Sequence, residues 1–498
     1  MTNNKKKLQL LKAILLVISS SLQAVEVATL KMPKAKVAKS KKQPLGQKAE
    51  AIISYERFVR LNQPEDGSKR DTFDWIESSY KYKMNRGTIK GGFDGDLRFF
   101  IKKKEINFSL AEAYLSYKGA DGSLHTLGRQ KLDWHPNEGF WQLGHLQGLR
   151  NFRLMDRKQE GLLGYDLKVD NGTFKSEFFV SYFYIPTLNP GIAVENGEVT
   201  SNSDWYRRPP RQALLRENGD PTSIQYEINE PNYKDIFIQK TLGARFSLDW
   251  DLNDKKKRKT NKKKLKTVKN KSTFGKGEIS GYVIYKPEPS VRINASTQYN
   301  VVDSQLPVRA DPIVNHHIVY GATLTQDIKS TKNVIGLTFV DPTARLGQDF
   351  DTLSLDIGSN EEASRTGYLI DPKYDKEAYL HFSSFFPGDI VSAGFNGIHY
   401  LTDHEQGNDD FYSDTVRWLS AVGLNLNYHL SDTVTASINL RYDLKREDNL
   451  FDGLVTFKPY KSTFINLGLE LIRSPSSNSY WSSYRANDTG YINFGMFY

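Results

Sequence analysis

The amino-acid sequence predicts an all-β fold, a transmembrane antiparallel up-and-down β-barrel of about 18 strands, within a range of roughly 16 to 20. First, strand-like runs with alternating apolar residues recur from about Phe93 to the last residue. Second, short connections between these runs alternate with mostly longer ones, which is typical of membrane barrels. Third, the chain contains no stretch of about 20 apolar residues, and its mean hydropathy is −0.56. A barrel tolerates this value because only alternate residues of each strand face lipid.

The strand-like runs have roughly the length that a tilted membrane strand needs. The clear runs lie at 278–286, 290–301, 318–327, 333–340, 377–386, 390–401, 418–430, 433–444, 454–459 and 462–473. Before them, the pattern predicts strands at 107–118, 123–132, 161–169, 173–185, 223–230 and 236–252. Residues 71–84 either add a strand or belong to an N-terminal extension.

The lengths of the connections between strands predict which rim of the barrel each connection occupies. The short ones lie at 286–289, 327–331, 386–389, 430–432 and 458–461. They alternate with 253–275, 302–314, 341–375, 402–415 and 474–487, and with the brief 445–449. Short turns on one rim and long loops on the other indicate an outer-membrane barrel, and this order places 253–275 on the outer rim.

The last residues, "DTGYINFGMFY", alternate with a period of two. Ile492, Phe494, Met496 and Tyr498 share one face, as a closing strand that faces lipid requires. An ordinary edge strand of a soluble sheet is the alternative. The pattern resembles the C-terminal signal of Gram-negative outer-membrane proteins. That resemblance implies recognition by the barrel assembly machinery and a place in the cell outer membrane.

The N-terminus begins with Lys5–Lys7, an apolar run from Leu8 to Ile18, and small residues up to Ala24. This order predicts a signal peptide at 1–24, cleaved after Ser21 or Ala24, with a short amphipathic helix as the alternative. We expect 25–70 to form a basic flexible periplasmic segment and 71–498 to form the barrel. The absence of cysteine excludes disulfides, thiolate catalysis and cysteine metal sites.

Positive charge is concentrated in two places. Residues 1–49 hold eleven Lys against Glu26, and Lys255–Lys276 holds twelve Lys and Arg with no acid. The second run is either a solvated loop or a contact for anionic polysaccharide and lipid phosphate, which would make lipopolysaccharide a partner. No nucleic-acid-binding motif accompanies it, so nucleic acid is not an expected partner.

Two long segments, 133–160 and 186–222, could narrow the lumen. The second carries Arg207, Arg208, Arg211 and Arg216 beside Trp205 and Tyr206, which would form an anion- or saccharide-reading constriction if folded inward. Folded outward, the same residues would form only a polar loop or a lipopolysaccharide contact.

Arg129 and Lys131 are further candidates for the pore wall, because strand alternation puts them on one face with His125. The sequence "GRQ" at Gly128–Gln130, followed by a Trp-bearing loop, resembles alginate-export-type outer-membrane barrels. That resemblance covers roughly 45 residues and implies an 18-stranded channel for an anionic polysaccharide. The alternative is that Arg129 only stabilises the barrel by pairing with a lumenal acid.

Because a barrel of this size leaves an aqueous channel, the sequence predicts a porin for passive diffusion of small hydrophilic solutes, with anionic solutes or saccharides as options. A homotrimer is one option for its assembly. The alternatives are a surface adhesin or receptor that binds through its long loops and, less favoured, an outer-membrane hydrolase. His316–His317 and His404–Glu405 lack a third ligand, and no hydrolase or phosphate-loop motif is present. We therefore predict no catalytic residues, cofactor or metal, and no enzymatic activity.

Overall fold

The computed structural model describes residues 46–62, 72–150, 153, 155, 158–187, 193–195, 198–200, 223–229, 231–251, 274–298, 305–342, 367–370, 376–402, 416–476 and 479–498. Within these ranges, 18 strands form one sheet. They are β1 Gly46–Arg60, β2 Thr72–Arg86, β3 Ile89–Phe100, β4 Glu105–Lys118, β5 Leu124–Gln130, β6 Leu162–Asp170, β7 Phe174–Ser181, β8 Thr241–Asp251, β9 Phe274–Pro287, β10 His316–Ile328, β11 Thr331–Pro342, β12 Glu377–Phe386, β13 Val391–Tyr400, β14 Ser420–Ser431, β15 Val434–Asp443, β16 Asn449–Tyr460, β17 Thr463–Arg473 and β18 Thr489–Phe497. No helix among the described residues is long and apolar enough to cross a membrane.

The sheet closes on itself. Each strand pairs antiparallel with the next, and β1 pairs with β18 in a register that joins Arg57 to Ile492. Closure leaves no sheet edge with unpaired backbone groups. The predicted antiparallel barrel of 18 strands is therefore confirmed.

The barrel begins earlier than predicted. β1, Gly46–Arg60, lies inside the range 25–70 that the sequence placed before the barrel, and it pairs along its length with β2. The boundary at residue 71 is therefore wrong. Lys48, Glu50 and Glu56 interrupt the apolar alternation of β1, so this strand looks like a continuation of the basic segment. Residues 1–45 lie outside the described residues, and the signal peptide at 1–24 stays a prediction.

Two of the predicted barrel strands lie elsewhere. Residues 223–228 pair parallel with 305–310, and 292–298 pair antiparallel with 305–313 and 367–370, so these runs form a separate four-stranded sheet. The short helix Tyr233–Phe237 lies at the junction of the predicted strands 223–230 and 236–252, where the sequence predicts only a hairpin turn at 231–235. The strand count is correct because β1 and β2 replace the two misplaced runs. Alternation alone does not distinguish strands of one sheet from strands of another.

The two rims of the barrel differ in their connections. One rim, here the turn rim, holds the connections 87–88, 119–123, 171–173, 252–273, 329–330, 387–390, 432–433 and 461–462. The opposite rim, the loop rim, holds 61–71, 101–104, 131–161, 182–240, 288–315, 343–376, 401–419, 444–448 and 474–488. The rims thus separate short turns from longer loops, with one long connection on the turn rim and two short ones on the loop rim.

This topology corrects the placement of the Lys-rich run. β8 ends at Asp251 and β9 begins at Phe274, and both residues lie at the turn rim, so 253–275 does not connect strands on the loop rim. Conversely, the segment 286–289 leads into a loop-rim connection, where the Glu288 amide donates to the Asn315 carbonyl. The error arose from counting 290–301 as a barrel strand, which reversed the rims assigned to 253–275 and 286–289.

Side chains alternate between the two faces of the wall. Exposed large apolar side chains such as Leu127, Leu242 and Ile335 point outward. Polar side chains such as Ser280, Thr323 and Thr338 occupy inward positions. An apolar outer face and a polar inner face suit a barrel in contact with lipid hydrocarbon.

The closing strand has the predicted faces. Phe494, Met496 and Tyr498 are 44–55% exposed on the outer face, and Ile492 shares their register positions. Tyr491 and Asn493 are buried on the inner face. The backbone of Tyr498 exchanges hydrogen bonds of 2.8 and 3.3 Å with Ala51 of β1. Its role as an assembly signal stays a prediction.

Candidate functional site in the barrel lumen

The connection from β5 to β6 folds into the lumen. We call residues 131–161 the inner segment; its described parts are 131–150, 153, 155 and 158–161. It contains one short helix, α1, Glu138–Trp141. The sequence left open whether the overlapping range 133–160 enters the pore, and the contacts below place its described residues inside the barrel.

One end of α1 is held by an aromatic cluster. Trp141 is fully buried, and its ring packs edge-on against Trp418 with centroids 5.4 Å apart. Trp418 also donates from Nε1 to the Trp141 carbonyl at 2.8 Å and packs on Trp481. The cluster continues onto the inner faces of β1 and β2 through Phe58 and Trp75. This arrangement fixes α1 to one side of the barrel.

A second apolar cluster holds the inner segment on the other side. Leu132, Trp134 and Leu146 are buried together with inward side chains of β7, β9, β10 and β11, including Ile284 and Val319. The first cluster draws on strands from β12 round to β2 and the second on strands from β7 to β11, so the two clusters occupy facing arcs of the ring. The inner segment therefore crosses the lumen.

Hydrogen bonds to the wall complete this attachment. The Asn137 Nδ2 and His381 Nδ1 atoms are 3.0 Å apart, and Arg441 Nε donates to the Phe140 carbonyl at 2.8 Å. Lys286 Nζ donates to the His145 carbonyl at 3.0 Å. These bonds reach three widely separated strands, β12, β15 and β9. The carbonyls of Phe140 and His145 are thus satisfied by side chains of the barrel wall.

A charged network holds the end of the segment nearest β6. Lys158 Nζ lies 2.8 Å from Asp94 Oδ1 and 2.7 Å from Asp96 Oδ2, and Arg150 lies 3.5 Å from the same Asp96 oxygen. Asp96 is 2% exposed and also accepts from Ser79 Oγ at 2.8 Å. A buried carboxylate facing two cations is costly to leave without them, so this network favours the docked segment.

Burial shifts the pKa values of two histidines and one glutamate in the inner segment, among other groups. It lowers the pKa of His135 well below its usual value, helped by the nearby His381, and lowers the pKa of His145 to about 3. It raises the pKa of Glu138 to about 7, against the opposing effect of backbone N–H groups of Leu146 and Gln147 that donate to its carboxylate. The ring of His135 stacks on that of His381 at 4.4 Å. Docking therefore favours neutral histidines.

Arg129 is buried and bonded to the end of the inner segment. Its Nε donates to the Gly161 carbonyl at 2.8 Å, and its guanidinium pairs with Glu160 at 3.2 Å. Glu160 also accepts from Ser109 Oγ on the inner face of β4 at 2.8 Å. These contacts match the alternative in which Arg129 pairs with a lumenal acid. Its contribution to selectivity stays a prediction.

The expected common face of Arg129 and His125 is wrong. His125 lies on the outer face between Tyr117 and Tyr165, and its Nδ1 is 2.7 Å from the Tyr165 hydroxyl. The alternation breaks at Gly128, whose φ of +129° lies outside the strand range. A Cβ at Gly128 would collide with the Ala113 carbonyl, so the break requires glycine. Arg129 consequently turns inward.

Lys131 lines a small lumenal cavity of about 210 Å³. Lys81 and Lys83 of β2 and the carboxylates of Asp94 and Glu112 line it as well. The Lys131 amide donates to Glu112 Oε1 at 3.3 Å, which places the cavity where the inner segment leaves β5. Among the described residues, none forms an ion pair with Lys81, Lys83 or Lys131.

Sequence reasoning missed part of this site and placed part of it outside the described residues. Lys81, Lys83, Asp94 and Asp96 stand at alternate positions in "SYKYK" and "GGFDGDLR", and this alternation was the available signal. The predicted arginines Arg207, Arg208, Arg211 and Arg216 lie outside the described residues. Their place at a constriction stays a prediction.

No protein-family model and no curated protein matches the chain. Among solved structures, it is similar to OccAB1 of Acinetobacter baumannii, with 8% identity and a TM-score of 0.44 over 91% of this chain and 95% of that one. It is also similar to OccK5 (OpdH) of Pseudomonas aeruginosa, with 11% identity and a TM-score of 0.41 over 91% and 97%. For OmpF of Salmonella typhi in complex with daunomycin, the values are 8% and 0.38 over 91% and 97%. Because these identities and TM-scores are low, the function has to be inferred from the residues that line the lumen.

Proposed function

We propose that the chain is a channel of the Gram-negative cell outer membrane through which small hydrophilic solutes diffuse passively. The inner segment carries this proposal, because it crosses a closed 18-stranded barrel and is anchored on opposite walls. A barrel of this size encloses an aqueous lumen, and a segment folded into it restricts the size and charge of what passes. Such a channel needs no catalytic group and no cofactor.

The charge on the wall beside the inner segment favours anionic solutes. Lys81, Lys83 and Lys131 converge on one cavity, whereas the neighbouring Lys158 is neutralised by Asp94 and Asp96. Three ammonium groups against the carboxylate of Glu112 leave this part of the wall with net positive charge, which raises the local concentration of anions. Arg129 supports this cavity indirectly, since its pairing with Glu160 fixes the end of the inner segment.

The outer-membrane setting includes further partners that we propose with it. Lipid would cover the outer face, the barrel assembly machinery would read the strand that ends at Tyr498, and lipopolysaccharide and a homotrimer would complete the assembly. Short turns of such barrels face the periplasm, so the strands flanking the Lys-rich run would meet on the periplasmic side. In this orientation the Lys-rich run would not offer a surface adhesin a basic loop on the cell exterior.

Reversal potentials across planar bilayers in a salt gradient test the selectivity. We expect the triple substitution Lys81→Gln, Lys83→Gln and Lys131→Gln to shift the reversal potential toward cations, even in high salt. A matched triple at exposed positions outside the lumenal cavity, Lys240→Gln, Lys445→Gln and Lys461→Gln, should leave it nearly unchanged. Equal shifts for both triples would contradict the assignment of selectivity to the cavity.

A further inference from the structure

The inner face of β13–β18 carries a row of asparagines. These are Asn396 of β13, Asn425 and Asn427 of β14, Asn439 of β15, Asn466 of β17 and Asn493 of β18. The register joins Asn425 to Asn439 and Asn439 to Asp452, so these three residues lie side by side on β14, β15 and β16. Asn466 and Asn493 face each other on β17 and β18, four residues along β17 from Glu470, which is the partner of Asp452. We call this row the amide track.

Hydrogen bonds along the track have one direction. Asn427 Nδ2 donates to Asn425 Oδ1 at 2.9 Å, Asn425 Nδ2 donates to Asn439 Oδ1, and Asn439 Nδ2 donates to Asp452 Oδ2 at 3.1 Å. A carboxylate only accepts, so it fixes the orientation of each amide before it. The track is thus a preorganised series of donors and acceptors rather than a set of freely rotating side chains.

The track retains unused hydrogen-bonding capacity. An amide has two N–H donors and two acceptor lone pairs, and within the chain Asn425 and Asn439 each use one donor and one lone pair. Among the described residues, Asn466 Oδ1 and Asn493 Oδ1 are buried without a partner, and Asn493 is only 6% exposed. Those two oxygens are closed to the lumen, whereas Asn425 and Asn439 are only half-buried, so a solute in the lumen can meet their unused donors and lone pairs.

The opposite wall has a different chemistry. There, Lys168 pairs with Glu177 at 2.8 Å, Lys175 pairs with Asp249, and Arg245 pairs with Glu278. Those charges satisfy each other, whereas the asparagines of the amide track offer neutral donors and acceptors, and only Asp452 at the end of the bonded series is charged. Hydroxyl groups both donate and accept, so a solute with many hydroxyls matches such a wall at every position.

The track begins where the inner segment ends. Gly423 and Arg441 stand one inward position closer to the loop rim than Asn425 and Asn439. Both contact Phe140 of the inner segment, because a Cβ at Gly423 would collide with the Phe140 ring and Arg441 binds the Phe140 carbonyl. A solute that passes the inner segment therefore meets the track next.

We propose that the amide track binds neutral saccharides during their passage. This inference rests on the proposed channel function, and it adds a second class of solute, recognised by a different part of the wall from the lysine-lined cavity that favours anions. The unused amide groups would hydrogen-bond to successive hydroxyls, and the sugar would slide along the track by exchanging equivalent partners.

Calorimetric titration of the folded, detergent-solubilised protein with maltotriose tests the inference without requiring conductance. We expect binding, and we expect Asn425→Ala with Asn439→Ala to raise the dissociation constant about 25-fold, at roughly fivefold for each lost hydrogen bond. Asn466→Ala removes no hydrogen bond to a described residue, so it should weaken binding about fivefold without affecting folding. Asn107→Ala, a buried-amide change on β4 away from the track, is the control and should leave binding unchanged.

A polyethylene glycol of similar size, which has almost no hydroxyl donors, should not compete with maltotriose. Unchanged affinity in both track variants, or equal competition by the glycol, would overturn the inference. If the protein gives current steps in bilayers but does not bind maltotriose, the saccharide inference fails and the proposed channel function is retained. Maltotriose binding without any current would refute the channel and support the track as a binding site.

Discussion

The replacement Trp141→Ala tests whether the inner segment is the constriction. Trp141 is fully buried, with its ring 5.0 Å from that of Phe140 and 5.4 Å from that of Trp418. Truncating such a ring to alanine costs about 3 to 5 kcal/mol. The hydrogen bond from Trp418 to the carbonyl of residue 141 is a backbone contact and is retained. The free energy lost in this variant is therefore that of side-chain packing between the inner segment and the barrel.

A loss of about 3 kcal/mol multiplies the undocked fraction of the segment more than 100-fold. We expect single-channel recordings of the variant to show larger conductance steps, more open-channel noise and passage of larger uncharged solutes. Trp250→Ala, on the outer-facing register of β8, serves as the control for a general loss of barrel stability. Unchanged conductance and size exclusion in Trp141→Ala, with folding intact, would refute the constriction.

Three further predictions concern the buried histidines of the inner segment, the positive φ of Gly128 and the aromatic side chain of Tyr498. Acidification from pH 6.5 to 4.5 should weaken docking of the inner segment by about 1.4 kcal/mol per pH unit. In this window the released segment binds two protons, on His135 and His145, whereas the docked segment binds one, on Glu138, whose pKa is about 7. Conductance should therefore rise as the pH falls, and a flat profile would contradict the pKa shifts. Gly128→Ala should lower the free energy of unfolding by about 1 to 3 kcal/mol, because the φ of residue 128 is +129°. Gly281→Ala is the control, since a Cβ has room there and the free energy of unfolding should not change. Equal unfolding midpoints of the two variants would rule out the proposed strain. Tyr498→Lys should reduce insertion measured by heat-modifiable gel migration, because it keeps the backbone bonds to Ala51 but removes the aromatic side chain; wild-type yields would contradict the assembly signal.

The sequence predicts the faces of individual strands better than their neighbours in the sheet. Ile492 to Tyr498 alternate cleanly, and their outer face follows from the period alone. Residues 223–228 and 292–298 alternate equally well but pair with 305–313, because pairing depends on which chain segments meet in space. The misassignment of 290–301 as a barrel strand reversed the predicted rim of the Lys-rich run.

The lumenal site depends on features with even weaker sequence signals. Arg129 turns inward only because Gly128 adopts a positive φ, which a lone glycine in a strand does not specify. The inward fold of the inner segment depends on Trp141 meeting Trp418, 277 residues away along the chain. The aromatic residues of "DWHPNEGFW" were visible in the sequence, but their partners on distant strands were not.

The measurement closest to the central claim is the current through single molecules of the purified, folded protein in planar bilayers. A barrel with a water-filled lumen narrowed by a docked segment predicts stepwise, ohmic openings of uniform size. Consistent absence of such steps from protein shown to be folded by its heat-modifiable migration would contradict the channel.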